Sequence, residues 1–442
     1  MKFRNFVLEA NKIVDLDLEQ FDIFDENTKF VAGTPAGGIS VSAPDVVLLK
    51  GKISEDENSS VFLGLSPFGT NGMIRTGDEI YFVSPNKNST QNGLISEAYV
   101  CNQRAVPAPS GPSRLCQTRY KSTYPYIERK ENQTSFDSDI AFSYVVDAAL
   151  DGAFSYFQLM DSNVQAALGY LVQLTAASSI IYERDFSAKF WLAFCRVWTV
   201  PDPFQNGGSI YDELDNFEEF WNDNMGQIHR NFASKIISNN RTGAVGLANV
   251  KELCNPGAAY SVCGLEDGSF PQPVTSGDAW WDLLIIAHEW GHTFGANHTH
   301  CYSPPLDSCY AEEDGCYRGE VRCRRGTIMS YCHVVCGGTG NVDPIFHPHQ
   351  INEISLILRN ISVPNLACVS RTLTPSYVHW GNHGEQDGSS RHPWDTVQEG
   401  ARWVTPGGTV LISSGNYPET LKIVSRCTLQ RNGRSGVVII GQ

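Results

Sequence analysis

Basic side chains are in short supply. The 442 residues hold 33 Lys and Arg against 48 Asp and Glu, a formal net charge of -15 at pH 7. Polyphosphates and anionic lipids are repelled by that balance, so neither nucleic acid nor an anionic membrane surface is expected as a partner. Long apolar runs are also scarce: by inspection no stretch approaches the ~18 residues that span a bilayer, and no membrane insertion is expected. The N-terminus, MKFRNFVLEANKIVDLDL, lacks the apolar core of a secretory signal. No two of the 13 cysteines stand as CxxC, so a cysteine-built structural metal cluster is not expected.

What is present is a chain too long for one average domain, with 41% hydrophobic residues to fill packed cores. Two or three domains are expected. Six cysteines (Cys301, Cys309, Cys316, Cys323, Cys332 and Cys336) fall within 36 residues and read as a loop pinned by disulfides. Disulfides imply export, so the protein is expected to be secreted, the numbered chain either starting after a removed signal or having been cut to this length for expression. Cys254 and Cys263 are spaced to close another small loop.

The densest chemistry lies at residues 288 to 298, HEWGHTFGANH. The preceding WWDLLIIA is apolar apart from Asp282, and Asp278 suits an N-cap, so a buried helix is expected to run into the motif. Four residues make about one helical turn, so His288 and His292 can aim both imidazoles at one zinc ion. Catalytic zinc takes three protein ligands, and His298 can supply the third if Gly295 adopts the left-handed backbone that ends a helix. Glu289 points elsewhere and suits a general base that takes a proton from the attacking water and delivers it to the leaving amine. The arrangement predicts metal-assisted peptide hydrolysis with one catalytic zinc; calcium is left undecided.

Downstream stands GTIMSYC, residues 326 to 332, a short turn-like segment that carries Met329. HExxHxxGxxH followed by such a methionine turn resembles the metzincin zinc endopeptidases. TIMSYC and the cysteine pattern are most similar to the reprolysin (adamalysin-like) branch. The resemblance implies that His288, His292 and His298 bind zinc, that Glu289 is catalytic and that Met329 forms the floor of the site. Adamalysins usually carry Asp after the third histidine, whereas this chain has Thr299 and His300, which sets it nearer the bacterial or protist proteases of this kind. Tyr331 stands where some metzincins keep a tyrosine that steadies the transition state, and its competing reading is a packed aromatic. In related zymogens a propeptide thiol blocks the metal. Cys101 or Cys116 would be that inhibitory thiol, unless the two form a disulfide with each other.

Residues 1 to 115 contain short alternating or β-branched segments between turn clusters and read as β-rich. Their place in the chain resembles the prodomain of the same family. PAPSGPS (107 to 113) begins a linker that extends over 116 to 136, with basic residues between Arg114 and Lys130 where a protease would separate the two parts. From 137 to 370 strands alternate with helices, including helices expected over 163 to 185 and 211 to 232, which implies a mainly parallel sheet. A helix near 347 to 361 closes this part, with His347 and His349 as cap or packing residues. Residues 371 to 442 recur as short strands behind WDTVQEGARWV, which places Trp394, Val397, Ala401 and Val404 on one helical face. This module resembles the opening coils of a right-handed β-helix.

The fold class expected is therefore multidomain α+β: a β-rich prodomain, a metzincin α/β zinc-protease domain and a short C-terminal β-helix-like module. The expected function is a zinc-dependent endopeptidase acting on proteins or peptides and made as a latent zymogen. The alternative is a surface- or carbohydrate-binding protein acting through its β-rich ends, with the C-terminal module touching polysaccharide.

Overall fold

The computed structural model of the chain describes residues 1–442 apart from 36, 92–93, 96, 106–115, 121–140, 205–207, 240–244, 271–279, 363–367, 385, 387, 406, 422, 424–426, 434 and 442. The expected linker PAPSGPS, Asp278 and most of the segment between Arg114 and Lys130 lie outside the described residues. The chain forms two compact units. The larger comprises Met1–Tyr124, Asp147–Asp185 and Phe190–Ile354; the smaller comprises Pro125–Val146, Phe186–Lys189 and Ser355–Gln442.

The larger unit opens with β1 (Lys2–Glu9), β2 (Lys12–Gln20), β3 (Lys29–Thr34), β4 (Gly37–Ser40), β5 (Val47–Ile53) and β6 (Asp56–Leu65). It continues with β7 (Asn71–Thr76), β8 (Glu79–Pro85), the short pair β9 (Thr90–Gln91) and β10 (Leu94–Ile95), and β11 (Ala98–Asn102). Seven of these make an antiparallel sheet in the order β1-β2-β5-β6-β7-β8-β11. Alternation along the strands sends Leu16, Leu18, Leu49, Val61, Leu63 and Ile74 into one core. From the other face Phe62 stacks on Phe270 and Phe82 stacks on Trp280, at ring separations of 6.2 and 5.7 Å. The expected β-rich N-terminal region is thus present, but it is not a free-standing one.

β3 and β4 leave this sheet for another. Next come β12 (Cys116–Arg119), β13 (Ala141–Gly152), α1 (Phe154–Leu159), α2 (Val164–Phe186), β14 (Ala188–Trp198) and α3 (Ile210–Asn224). They are followed by β15 (Phe232–Ser238), β16 (Gly246–Asn249), β17 (Tyr260–Leu265) and α4 (Trp281–Phe294). The second sheet runs β12-β16-β17-β15-β13-β14-β3-β4. Its pairs β12/β16, β13/β15, β15/β17 and β14/β3 are parallel, while β16/β17 and β3/β4 are antiparallel. The mainly parallel sheet is as expected, but two of its components are not. β3, drawn from residues 1 to 115, pairs with β14 because Phe30 and Ala32 are buried there. β12, drawn from the supposed linker of 116 to 136, pairs with β16 and so extends the sheet edge.

Contrary to the expectation that no stretch approaches a bilayer span, helix α2 is long and apolar enough to cross a membrane by length and composition; 83% of its most apolar window is buried inside the structure, as in an interior helix. Tyr170, Leu171, Leu174 and Ile181 are among its buried residues. Helix α3 begins at a capping box in which Ser209 accepts from the Asp212 N–H and Asp212 accepts from the Ser209 N–H. It ends at Asn224 rather than near 232, because Gly226 disfavours helix and Phe232 is taken up by β15.

The remaining elements are α5 (Cys332–Val335), α6 (Pro348–Ile361), β18 (Ser370–Thr374), β19 (Ser376–Val378), α7 (Val397–Trp403), β20 (Thr409–Ile412), β21 (Gly415–Tyr417), β22 (Thr428–Arg431) and β23 (Val438–Ile440). His347 stands at the start of α6, its carbonyl accepting from Ile351 N–H. In the smaller unit β18 pairs antiparallel with Ala141–Val145. β19, β20 and β22 pair in parallel, as do β21 and β23. Helix α7 is shorter than the expected amphipathic segment, since Thr396 caps it and Trp394 precedes it. Trp394, Val397 and Val404 still share one core with Val410, Ile412 and Tyr417.

Candidate active site

The site is built on α4, whose fourteen residues are all buried. Asp282 in its first turn is a buried carboxylate that accepts N–H groups from Glu266 (2.8 Å) and Gly268 (2.9 Å) and the hydroxyl of Tyr170 (2.9 Å). This polar anchor explains an acid inside an apolar run: it fixes the chain after β17 against the helix start. The helix ends at Gly295, with φ 118° and its N–H bonded to the Gly291 and His292 carbonyls. Only glycine takes that conformation without strain, and the turn carries His298 back towards His288 and His292.

The three histidines meet. His292 Nε2 lies 3.1 Å from His288 Nε2 and 3.1 Å from His298 Nε2. Each ring uses its other nitrogen on a group that can only accept: Ile328 O for His288 (2.7 Å), Ala296 O for His292 (2.7 Å) and Glu313 Oε2 for His298 (2.8 Å). The Nδ1 atoms therefore carry the protons, and three bare Nε2 lone pairs converge. Burial lowers all three imidazoles, His298 to about 4, which keeps them neutral at pH 7. Lone pairs pressed together in a buried place call for a cation between them. The spacing is close to the ~3.3 Å that tetrahedral zinc with Zn–N of about 2.0–2.1 Å would impose, and a set of neutral imidazoles suits that ion.

Glu289 is fully buried, and neither carboxylate oxygen has a hydrogen-bond partner among the described residues. Burial pushes its carboxyl well above the usual carboxylate range. Gly246 on β16 makes room for it, since a Cβ there would stand 2.1 Å from Glu289 Oε1. Met329 is buried beneath α4, and a Cβ on Gly291 would stand 2.6 Å from its sulfur. The Met329 carbonyl accepts from Thr299 N–H at 3.0 Å, tying the turn to the third histidine.

Cys116 and Cys101 separate sharply. Both thiols are free, so they are not joined as a disulfide. Cys116 Sγ lies 2.9 Å from His288 Nε2, 2.9 Å from His298 Nε2 and 3.6 Å from His292 Nε2. Cys101 lies on β11, half-buried, with its thiol directed to the neighbouring Asn102 carbonyl at 3.5 Å. Tyr331 combines the two roles weighed for it: its ring packs 4.4 Å from that of His298, and its hydroxyl reaches the Cys116 carbonyl (2.5 Å) and thiol (3.3 Å). Cys116, Tyr331 and His333 also line a pocket beside His288, with Trp281, Leu284 and Ile285 of α4 as its other walls.

One further side chain, Glu313, joins the site from outside the motif. Glu313 Oε2 accepts from His298 Nδ1 and, also at 2.8 Å, from the fully buried His300 Nε2. Burial raises the Glu313 carboxyl, but the hydrogen bonds from His298 and His300 outweigh it and hold the group well below the usual range. The six clustered cysteines pair as Cys301–Cys316, Cys309–Cys332 and Cys323–Cys336. Other groupings of metal-ligating type near the site include Cys301, Cys309 and Cys332, and their sulfurs are spent in these disulfides. The expected Cys254–Cys263 loop is not formed: Cys263 is a free thiol buried in β17, while Cys254 is disulfide-bonded.

Three histidines converging from a helix and the turn after it, above a buried methionine, make a site able to hold a metal ion. Residues 143–342 match the family described as metallo-peptidase family M12 (Reprolysin_5). Over those residues the chain is similar to reprolysin-like M12 metallopeptidases. Among solved structures it is similar to metalloproteinase-II from Bacteroides fragilis, at 12% identity and a TM-score of 0.42, over 79% of this chain and 89% of that one.

Proposed function

We propose that the protein is a zinc-dependent endopeptidase of protein or peptide substrates, held latent by Cys116. The convergence of three neutral Nε2 atoms beside an unpartnered buried carboxylate carries this reading. His288, His292 and His298 would hold the metal, over Met329 as floor. Bound zinc supplies Lewis acidity toward the scissile carbonyl and lowers the pKa of a coordinated water towards ~7.

The chain's own groups do the rest. Glu289 takes the proton of the attacking water and passes it to the leaving amine, the two transfers that a carboxylate beside the metal-held water can make. Tyr331 donates to a carbonyl oxygen. In the latent chain that oxygen belongs to Cys116, and in a substrate complex it would be the reacting carbonyl. Exclusion of water by the surrounding apolar walls strengthens both interactions.

Latency follows from β12. Its pairing with β16 lays Cys116 opposite Gly246, beside Glu289, so the thiol occupies the space that water and substrate need. Arg119 pins the other end of the strand through Asp215, Glu218 and Asn249. Cleavage between Lys121 and Lys130 would free β12 to leave. The disulfide-bonded loop supports secretion. The parallel pairs β19/β20/β22 and β21/β23 support reading the C-terminal module as the first coils of a β-helix.

The test is zinc content by elemental analysis together with casein hydrolysis, on the full chain and on a form cut between Lys121 and Lys130. About one zinc per chain in both, with hydrolysis confined to the cut form, is expected. A folded chain that binds no zinc and cleaves nothing in either form contradicts the proposal.

A further inference from the structure

We propose that Glu313 is a positioning residue for the metal site, one that sets zinc affinity through His298 and is itself held by the Cys301–Cys316 disulfide. The inference rests on the zinc reading above. His288 and His292 stand on α4, and their Nδ1 atoms bond to backbone carbonyls. His298 lies beyond the helix, and its Nδ1 partner is a side chain. Its tautomer and ring direction thus depend on Glu313 in a way that those of the other two do not.

Glu313 is well placed for that task. One oxygen, Oε2, accepts from His298 Nδ1 and His300 Nε2 at 2.8 Å each, and the two rings lie parallel, 7° apart with centroids at 5.4 Å. His300 is fully buried and needs an acceptor for its Nε2–H, so it clamps the carboxylate from a second direction. The loop that brings Glu313 back begins at Cys301 and ends at Cys316, and their disulfide closes it. Tyr317 N–H on the His300 carbonyl, at 3.0 Å, fastens the same closure. A carboxylate accepting the far N–H of a ligating imidazole fixes its tautomer and makes the bound nitrogen more basic. Opening the loop releases that carboxylate with no change to any ligand.

The experiment measures zinc dissociation constants of the full chain by competition with a chromophoric chelator. It compares wild type with Glu313→Ala, Glu313→Gln, the Cys301→Ser/Cys316→Ser pair and that pair combined with Glu313→Ala. Glu313→Ala should weaken zinc roughly 10–100-fold, with Glu313→Gln between it and wild type because an uncharged acceptor remains. The serine pair should weaken zinc in the same direction. Adding Glu313→Ala to the serine pair should bring the affinity no lower than Glu313→Ala alone, since both act through one contact. In the metal-free protein, nitrogen-15 spectra of histidine should show His298 losing its fixed Nδ1–H tautomer in Glu313→Ala, a change that a merely structural role would not produce. Equal affinities in wild type and Glu313→Gln and Glu313→Ala overturn the proposal and leave the protease reading standing. If Glu313→Ala does not fold, Glu313→Gln decides alone, and a wild-type constant for it overturns the proposal. A wild-type chain that takes up no zinc overturns the zinc reading itself.

Discussion

The Cys116 thiol stands 2.9 Å from His288 Nε2 and 2.9 Å from His298 Nε2, on a strand that is paired in register with β16. The same sulfur therefore faces the lone pairs that would hold the metal. Cys116→Ala in the uncut chain should give casein hydrolysis without proteolytic processing, whereas Cys101→Ala should leave the chain latent. Equal latency in wild type and Cys116→Ala would rule out the thiol as the block.

Glu289 is tested by the change that keeps its shape. Glu289→Gln removes the proposed base and should lower kcat by about 10²–10⁴-fold in the processed chain, with zinc content unchanged. A buried carboxylate without a partner is costly, so the variant should also melt no lower than wild type. A variant that keeps full activity would remove Glu289 from the mechanism.

The location of the motif was legible because its parts are local: His288, His292, Gly295 and His298 lie within eleven residues, and helix geometry relates them directly. Glu313 was not legible. It stands among Glu312 and Asp314 in a loop whose path depends on disulfide pairing, and sequence does not fix that pairing. Cys101 and Cys116 looked alike for a similar reason, since only the pairing of β12 with β16 brings one of them to the histidines. The division at residue 115 missed the parallel pairing of β3 with β14, a contact across more than 150 residues that leaves no local periodicity. The alternating strands of the N-terminal sheet and the boundaries of α2 were legible, because burial on one face writes itself into the pattern.

Cutting the chain is not expected to release residues 1–120 as a separate body. β3 lies between β14 and β4 in the sheet, Asn71 donates to Gln173 Oε1 at 2.5 Å, and Gln173 donates to the Gly64 and Gly69 carbonyls at 3.0 Å each. After cleavage between Lys121 and Lys130 both fragments should co-elute in size exclusion, and only denaturant should part them. Clean separation in buffer alone would show that these contacts do not hold the parts together.

Acid should destabilise the metal-free chain in a defined window. Burial lowers His298 from 6.5 to about 4, against the hydrogen bond and charge of Glu313 that raise it. The unfolded chain takes up that proton near pH 6.5, while the folded chain refuses it until about 4. The residue's contribution is therefore complete above 6.5 and is lost as pH falls towards 4, by about 3 kcal/mol. His288 and His292 shift in the same direction. The urea midpoint of the metal-stripped chain should fall between pH 7 and pH 4.5, and a flat midpoint would contradict the burial of neutral imidazoles.

Gly246 offers the sharpest test of how the carboxylate is seated. It lies opposite Cys116 on β12 and beside Cys263 on β17, and a Cβ there would stand 2.1 Å from Glu289 Oε1 and 2.6 Å from its Cδ. Strand backbone is held on both sides, so the side chain of Glu289 must give way rather than β16. Gly246→Ala should cost about 1–3 kcal/mol of stability, the usual penalty for overpacking a filled core. It should also depress kcat while zinc content stays near wild type, because the three histidines are not displaced. The decisive comparison is the double variant. In a Glu289→Ala background the clashing oxygen is gone, and Gly246→Ala should then be nearly neutral in a denaturant melt. An undiminished stability loss in that background would mean that Gly246 is required for some other contact, and the seat proposed for Glu289 would be wrong.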